Sequence, residues 1–317
     1  MGIRNLNKLL LNKCYNSIYY IHLSELSGKK IAIDVSIYLY KYERNGRLLK
    51  NMIDMMKIFK YYNIIPIFIF DGKPPKEKKN ILDKRREEKR QNKEKIYKLK
   101  EELEEIKECN NDLKIKEIMC EINKIENQII IITKDKIEEI KNIIRREGMT
   151  YFDAPQEADE LCAMLVIREQ VWCCISDDMD LFVYGCPRVI RDFNIYKCSG
   201  KIYNMDDILY DLSKIYGNMG LNDFKQICIL SGTDYNYKSN NINFNISYVM
   251  ELFKIYNDNK YLNNVEYKYD FINWLMNVNE INMDKINMDE LINIYDIFDL
   301  SDDTKLFQFS NILIENI

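Results

Sequence analysis

Carboxylates repel one another, so a chain that crowds Asp177, Asp178 and Asp180 behind the apolar run VWCCI (171–175) needs a reason. Two other apolar runs end the same way: KIAID (30–34) closes on Asp34 and IPIFIFD (65–71) on Asp71. Further along, DAPQEADE (153–160) brings Glu157, Asp159 and Glu160 close together, and LSGTDY (230–235) carries Asp234. Seven of these acids form the candidate cluster: Asp34, Asp71, Glu157, Asp159, Asp178, Asp180 and Asp234. A donor set made only of oxygen selects hard divalent cations, Mg²⁺ or Mn²⁺. That much negative charge in one place is tolerable when two ions neutralise it. Two ions about 4 Å apart can activate a water and stabilise the leaving oxygen of a phosphodiester.

Other chemistries find less support. The nine cysteines are scattered with no C-x-x-C pair and His22 is the single histidine, which disfavours zinc. At 317 residues a disulfide framework is not needed, and the cysteines read as buried thiols of an intracellular protein in a reducing compartment. No Walker-type glycine loop is present, and no Ser-His or Cys-His nucleophile pair suggests itself. His22 reads as structural, in a helical or loop context. No apolar run approaches the length of a membrane span, and no signal-peptide pattern opens the chain.

The elements that must position the acids follow from the pattern. Continuous apolar runs without polar alternation read as strands buried on both faces, as in a parallel sheet covered by helices. Ligands gather at the carboxyl ends of such strands, so three strand-terminal aspartates are expected to meet at one edge. Residues 47–62 and 134–147 carry apolar positions at helical spacing. The stretch 150–165 reads as an extended segment, a turn and a helix, with Pro155 at the first helical position. Acids at a helix start also have a plain dipole explanation. Residues 221–235 read as a helix running into a turn, and 247–317 as several helices.

Residues 73–98 differ in kind. They hold twelve Lys or Arg and five Asp or Glu, a local excess of seven positive charges in a chain whose net charge is −4. A charged helical insertion is ordinarily a solvated face. Its place directly after Asp71 points instead to guiding phosphates. Lys78 and Arg85, seven residues apart, would share one helical face. Residues 99–132 continue helical and more acidic.

Taken in order, MGIRNLNKLL (1–10), IAIDVSIYLY (31–40), FDGKPP (70–75), DAPQEADELCAML (153–165), SDDMDLFVYG (176–185) and LSGTDY (230–235) resemble the flap endonuclease family of structure-specific 5′ nucleases. The resemblance runs from Met1 to about Asp234. It implies an α/β, PIN-like fold: a mostly parallel central sheet flanked by helices, with a helical arch at about 73–132 and a C-terminal helix-hairpin-helix-like region. Residues 1–235 would form the nuclease core and 236–317 the divergent helical remainder. It implies two Mg²⁺ ions, with Mn²⁺ able to substitute. One would be held mainly by Asp34, Asp71 and Glu157/Asp159, the other mainly by Asp178, Asp180 and Asp234. Family pattern takes Asp159 as ligand where ideal helix facing would pair Glu157 with Glu160, so Glu160 stays in reserve. Asp177 is expected to tune the field without coordinating. Lys78 and Arg85 match the basic pair presented to the scissile phosphate. Gly2, Tyr40, Lys84, Arg86, Asn241 and Asn243 are expected to touch DNA. For Tyr40, base stacking stands beside a core tyrosine as the two readings.

The implied partner is DNA with 5′ flaps or related branched or nicked structures, met by a monomer. The glutamine-plus-double-aromatic motif for the sliding clamp is not recognisable, and the nuclear or cytoplasmic site of action stays open. The chain also departs from the family. Only KYERNG (41–46) separates Tyr40 from the next helix, which weakens 3′-flap selectivity, and NINFN (241–245) stands where the family's hairpin carries Gly-Ile-Gly. Such reduced loops suit a divergent member of the kind carried by large DNA viruses with AT-rich genomes. Cleavage of nicks, gaps or four-way junctions is therefore the alternative reading. A non-catalytic DNA-binding scaffold and an aspartyl phosphotransferase are the alternatives of other classes.

Overall fold

The computed structural model describes residues 2–108, 112–126, 129–236, 244–260, 269–277 and 287–301. Seven strands form one sheet: β1 (Ile18–His22), β2 (Lys30–Asp34), β3 (Ile65–Phe70), β4 (Thr150–Asp153), β5 (Cys173–Ile175), β6 (Arg188–Asn194) and β7 (Ser199–Asn204). Their order is β1-β7-β6-β5-β2-β3-β4. The β5–β2, β2–β3, β3–β4 and β5–β6 pairings are parallel, while β6–β7 and β7–β1 are antiparallel.

Strand side chains alternate between faces, and here both faces are dry. On β2, Ile31 and Ile33 enter one apolar core while Ala32 enters the other. The same split places Phe68 and Phe70 against Ile67 and Ile69 on β3, and Cys173 and Ile175 against Cys174 on β5. That double burial is why these segments read as unbroken apolar runs. Each fully buried Ile or Phe contributes about 1.5–3 kcal/mol, enough to hold the strand ends in place while polar groups crowd beyond them.

The helices are α1 (Leu6–Lys13), α2 (Val35–Glu43), α3 (Leu48–Tyr61), α4 (Lys79–Glu108), α5 (Asp112–Glu126), α6 (Lys134–Arg146), α7 (Ala158–Ile167), α8 (Asp180–Val183), α9 (Met205–Tyr216), α10 (Leu221–Ser231), α11 (Ile246–Lys260), α12 (Asp270–Asn277) and α13 (Met288–Ile297). The first core takes α2, α3 and α6; the second takes α1, α7 and the helices from α9 onward. The expected arch is a helical hairpin of α4 and α5. At 30 residues α4 is about 45 Å long. A small apolar seam of Leu99, Ile118, Ile122 and Ile125 joins its arms, and Lys95–Glu121 and Lys100–Glu126 pair across it at 2.6 and 2.9 Å.

Three expectations need correction. Pro155 is not the first helical position: α7 begins at Ala158, because the Asp71 carboxylate caps the Ala158 amide from another strand end at 2.8 Å. Lys78 lies in a short 3₁₀ turn (Lys76–Lys78) ahead of α4, not on one helix with Arg85. His22 ends strand β1, where its ring nitrogen accepts from the Ser24 amide to cap the following 3₁₀ turn. Asn241 and Asn243 lie outside the described residues. Eight cysteines are described, all free; Cys120 is exposed and Cys198 half-buried, while the other six are buried.

Candidate active site

The strand order sets β5, β2 and β3 side by side, so Asp178, Asp34 and Asp71 leave neighbouring strand ends into one cleft of about 290 Å³. Asp34 is the last residue of β2 and the N-cap of α2. Its carboxylate accepts from the Ser36 amide at 3.2 Å and the Ser176 hydroxyl at 2.9 Å. Asp71 accepts from the Ser36 hydroxyl and caps α7. Glu157 occupies the N-cap position of α7 without capping it, which leaves its carboxylate for the cleft. Asp159 lies in the first turn of α7, where the helix dipole favours negative charge.

A close approach fixes the two acidic turns. The Gly72 amide donates to Gln156 O at 2.6 Å, and a Cβ on Gly72 would stand 1.9 Å from Ala154 O. Only glycine fits between the β3 end and the 154–157 turn.

Asp180 opens α8 and is 1% exposed. Its amide donates to Asp178 Oδ1 at 3.1 Å, yet its own Oδ1 is buried without a hydrogen-bond partner. Gly2, at φ +79°, presses its backbone here: a Cβ would lie 2.7 Å from both Asp178 Oδ1 and Asp180 Oδ1. Asp177 points elsewhere, accepting from the Asp192 amide at 2.7 Å and pairing with Lys41 at 3.6 Å.

Cations from the arch root close the cleft. Lys78 Nζ lies 2.6 Å from Glu157 Oε2 and 3.8 Å from Asp180 Oδ2, and Arg85 reaches Asp234 at 3.0 Å. Tyr40 lines the cleft and is 45% exposed, with Lys89 Nζ 5.8 Å from its ring centre. Lys84 and Arg86 stand outside the cleft on the exposed side of α4, paired with Glu88 and Asp83. Glu160 and Asp180 are both buried and neither lines the cleft; Asp180 meets it through Lys78, which does.

Several site residues have roles that their type and spacing do not reveal, even where they fall inside the quoted blocks. Ser176 bridges Asp34 and the Asp178 amide. Asn236 holds the turn around Asp234 by accepting from the Thr233 hydroxyl at 3.0 Å and donating to Ile229 O at 2.9 Å. Tyr235 donates to Glu157 Oε2 at 2.8 Å; adjacency to Asp234 was its one available clue.

Electrostatics follow from burial. Burial, then the Asp71 charge, pushes Asp34 up to about 8. Burial raises Asp159, partly opposed by Lys78, and raises Asp180 together with the Asp178 charge. For Lys78, burial favours the neutral amine, but the charges of Asp180 and Asp159 outweigh it and hold the ammonium. Carboxylates raised in this way lack compensating positive charge. Among the described residues no three His, Cys, Asp or Glu side chains already form a cage fit for a metal ion; the cationic side chains of Lys78 and Arg85 lie against the carboxylates. The oxygen-only donor set and the unpartnered Asp180 Oδ1 nevertheless fit a hard cation.

An acidic cleft at the carboxyl edge of a largely parallel sheet, roofed by a basic helix root, defines the class: an α/β protein with carboxylates gathered at its strand ends and cations held against them. Profiles of the XPG N-terminal domain and the XPG I-region match residues 1–93 and 148–234. Flap endonuclease 1 of Bos taurus is 30% identical over 254 residues, covering 74% of this chain and 62% of the relative. The Brugia malayi protein of that name is 28% identical over 258 residues, with the same coverage. The chain thus spans about three fifths of the length of these relatives. In fold it is similar to the catalytic core of Rad2 in complex with DNA substrate, with a TM-score of 0.60, 20% identity and coverage of 95% of this chain and 87% of that one. Human GEN1 in complex with Holliday junction DNA gives 0.54, 18%, and 90% and 66%. The chain belongs to the flap endonuclease (XPG) family.

Proposed function

We propose that this chain is a Mg²⁺-dependent structure-specific nuclease that hydrolyses DNA at 5′ flaps and trims 5′ ends, in replication, repair or recombination. One observation carries the reading: Asp180 Oδ1 is buried and unpartnered behind a cleft lined by six carboxylates, whose cations come from a basic helix root. Residues 1–235 would be the nuclease core with its arch and 236–317 a divergent remainder, helical where it is described; the protein would work as a monomer inside a reducing compartment.

Two Mg²⁺ ions suit the donor set, Mn²⁺ replacing them. Asp34, Asp71 and Glu157/Asp159 would hold one; Asp178, Asp180 and Asp234 the other. Such ions, when bound, make water a nucleophile at neutral pH and neutralise the leaving oxygen. The chain's own residues do the rest. Lys78 and Arg85 leave the carboxylates for phosphate oxygens, which places positive charge where the transition state develops negative charge. Tyr40 offers an exposed ring on which any base can stack. Gly2 brings backbone against Asp178 and Asp180 where a side chain would collide. Lys84, Arg86, Asn241 and Asn243 belong to the wider DNA contact.

A second reading keeps the chemistry and changes the structure cut to nicks, gaps or four-way junctions. Its support is the connection between α2 and α3, which is only residues 44–47 and leaves little to wedge a flap junction open. A cleavage panel of end-labelled flap, nick, gap and junction DNAs in Mg²⁺ separates the two. Flap cutting at least tenfold above the others is the expected result; equal or better junction cutting sinks the flap preference, and no cutting in Mg²⁺ or Mn²⁺ sinks the nuclease.

A further inference from the structure

Tyr235 lies beside the acids without being one of them. Its hydroxyl donates to Glu157 Oε2 at 2.8 Å, the same oxygen that Lys78 Nζ holds at 2.6 Å. The Lys78 ammonium also sits 4.7 Å from the centre of the Tyr235 ring. One phenol therefore fixes a carboxylate through its oxygen and a cation through its face.

The ring is itself supported from the C-terminal side. Phe298, fully buried just after α13, meets Tyr235 edge-on at 5.4 Å and Tyr184 at 4.8 Å. Tyr184 closes α8, its amide donating to the carbonyl of Asp180 at 3.0 Å. Phe298 O accepts from Lys225 of α10 at 3.2 Å, on the helix that leads to Asp234. A single aromatic thus touches the segments that carry Asp180 and Asp234, and reaches the Glu157–Lys78 pair through Tyr235.

We infer that Tyr235 and its brace Phe298 are positioning residues that seat Lys78 on Glu157 and limit it to a long pairing with Asp180. The inference rests on the reading of Asp180 as a divalent-cation ligand, with Glu157 a ligand only through the oxygen that Tyr235 and Lys78 do not use. Asp180 Oδ2 is 3.8 Å from Lys78 Nζ, within a small swing of the lysine chain. With the phenol in place, Glu157 Oε2 receives two donors and the ammonium is seated over the ring. Without it, Lys78 can slide to Asp180 and neutralise the carboxylate whose Oδ1 awaits a cation. Groups that orient ligands from behind in this way typically alter metal affinity or activity about 10–100-fold.

The test measures Mn²⁺ binding by loss of the free-ion EPR signal, alongside single-turnover cutting of a flap DNA and DNA affinity in Ca²⁺. Tyr235→Phe, which removes one oxygen, should weaken Mn²⁺ binding about tenfold. It should slow cutting at low Mg²⁺ with recovery at high Mg²⁺, and leave DNA affinity unchanged. Phe298→Leu keeps the site apolar and should give the same signature, with the double variant no worse than the more affected single one. Wild-type Mn²⁺ binding by Tyr235→Phe overturns the inference. A Phe298→Leu protein that loses only thermal stability reduces Phe298 to core packing and overturns its role as a brace. A wild type that binds Mn²⁺ yet cuts no DNA sinks the nuclease reading while leaving the Mn²⁺ comparison intact.

Discussion

Arg85 reaches Asp234, 149 residues further along the chain, at 3.0 Å. The arch root and the last acidic turn are therefore in direct contact, and the guanidinium that would face a phosphate rests on a candidate metal ligand. In the proposed nuclease, a DNA phosphate would take the place of Asp234 at this guanidinium.

Removal of the two root cations separates chemistry from affinity. Lys78→Ala with Arg85→Ala should slow single-turnover cutting by at least about 10²–10³-fold, the cost of losing one placed charge at a transition state. The dissociation constant should change by less than about fivefold, because backbone contacts elsewhere supply affinity. Equal losses in both would mean that the root merely holds DNA.

Without divalent cations, stability should depend on pH through the buried acids. Asp34 is raised from 3.8 to about 8, so the folded chain keeps a proton that the unfolded chain releases. Its contribution is complete below about pH 4 and fades as the pH rises toward 8. Asp159 and Asp180 shift in the same direction. In EDTA, the melting temperature should fall from pH 5 to pH 8, less steeply in Asp34→Asn, and Mg²⁺ should flatten the wild-type curve. Parallel curves for wild type and variant would remove Asp34 from the account.

Neighbouring aspartates should differ in weight. Asp177→Asn should cost less than about fivefold in cutting, since its partners are Lys41 and the Asp192 amide, both exposed at the rim. Asp178→Asn and Asp180→Asn should cost about 10²-fold or more. Similar losses at all three would place Asp177 among the ligands.

Gly72→Ala tests the contact between the two acidic turns. The added methyl meets Ala154 O, so the turn must move, at about 1–3 kcal/mol by urea unfolding. Cutting should fall as well, because Glu157 rides on that turn. A variant of normal stability and rate would show the turn to be pliant.

Much of this arrangement was legible before any coordinates. β2, β3 and β5 announce themselves because both of their faces are buried, and the acids follow within three residues of their ends. β6 and β7 do not. Arg188, Arg191 and Lys201 break their apolar pattern, yet Arg191 is buried, donating to Asp177 O at 2.8 Å and lying 5.5 Å from the Tyr203 ring. The start of α7 was misplaced because its cap comes from Asp71, 87 residues earlier, and no local pattern encodes that. Ser176, Asn236 and Tyr235 escaped for a related reason. Their value lies in which oxygen they reach across the fold, and single hydroxyls and amides have no periodicity.

The order of the parts along the chain has a consequence for synthesis. Asp34 and Asp71 emerge early, with the basic arch root directly behind them, whereas Asp234, Tyr235 and Phe298 emerge late. A nascent chain released before residue 234 would carry the basic arch root without the full set of cleft carboxylates. In the proposed nuclease such a product would keep the cations that face phosphate and lack part of the acid cluster, so it would occupy DNA without cutting it.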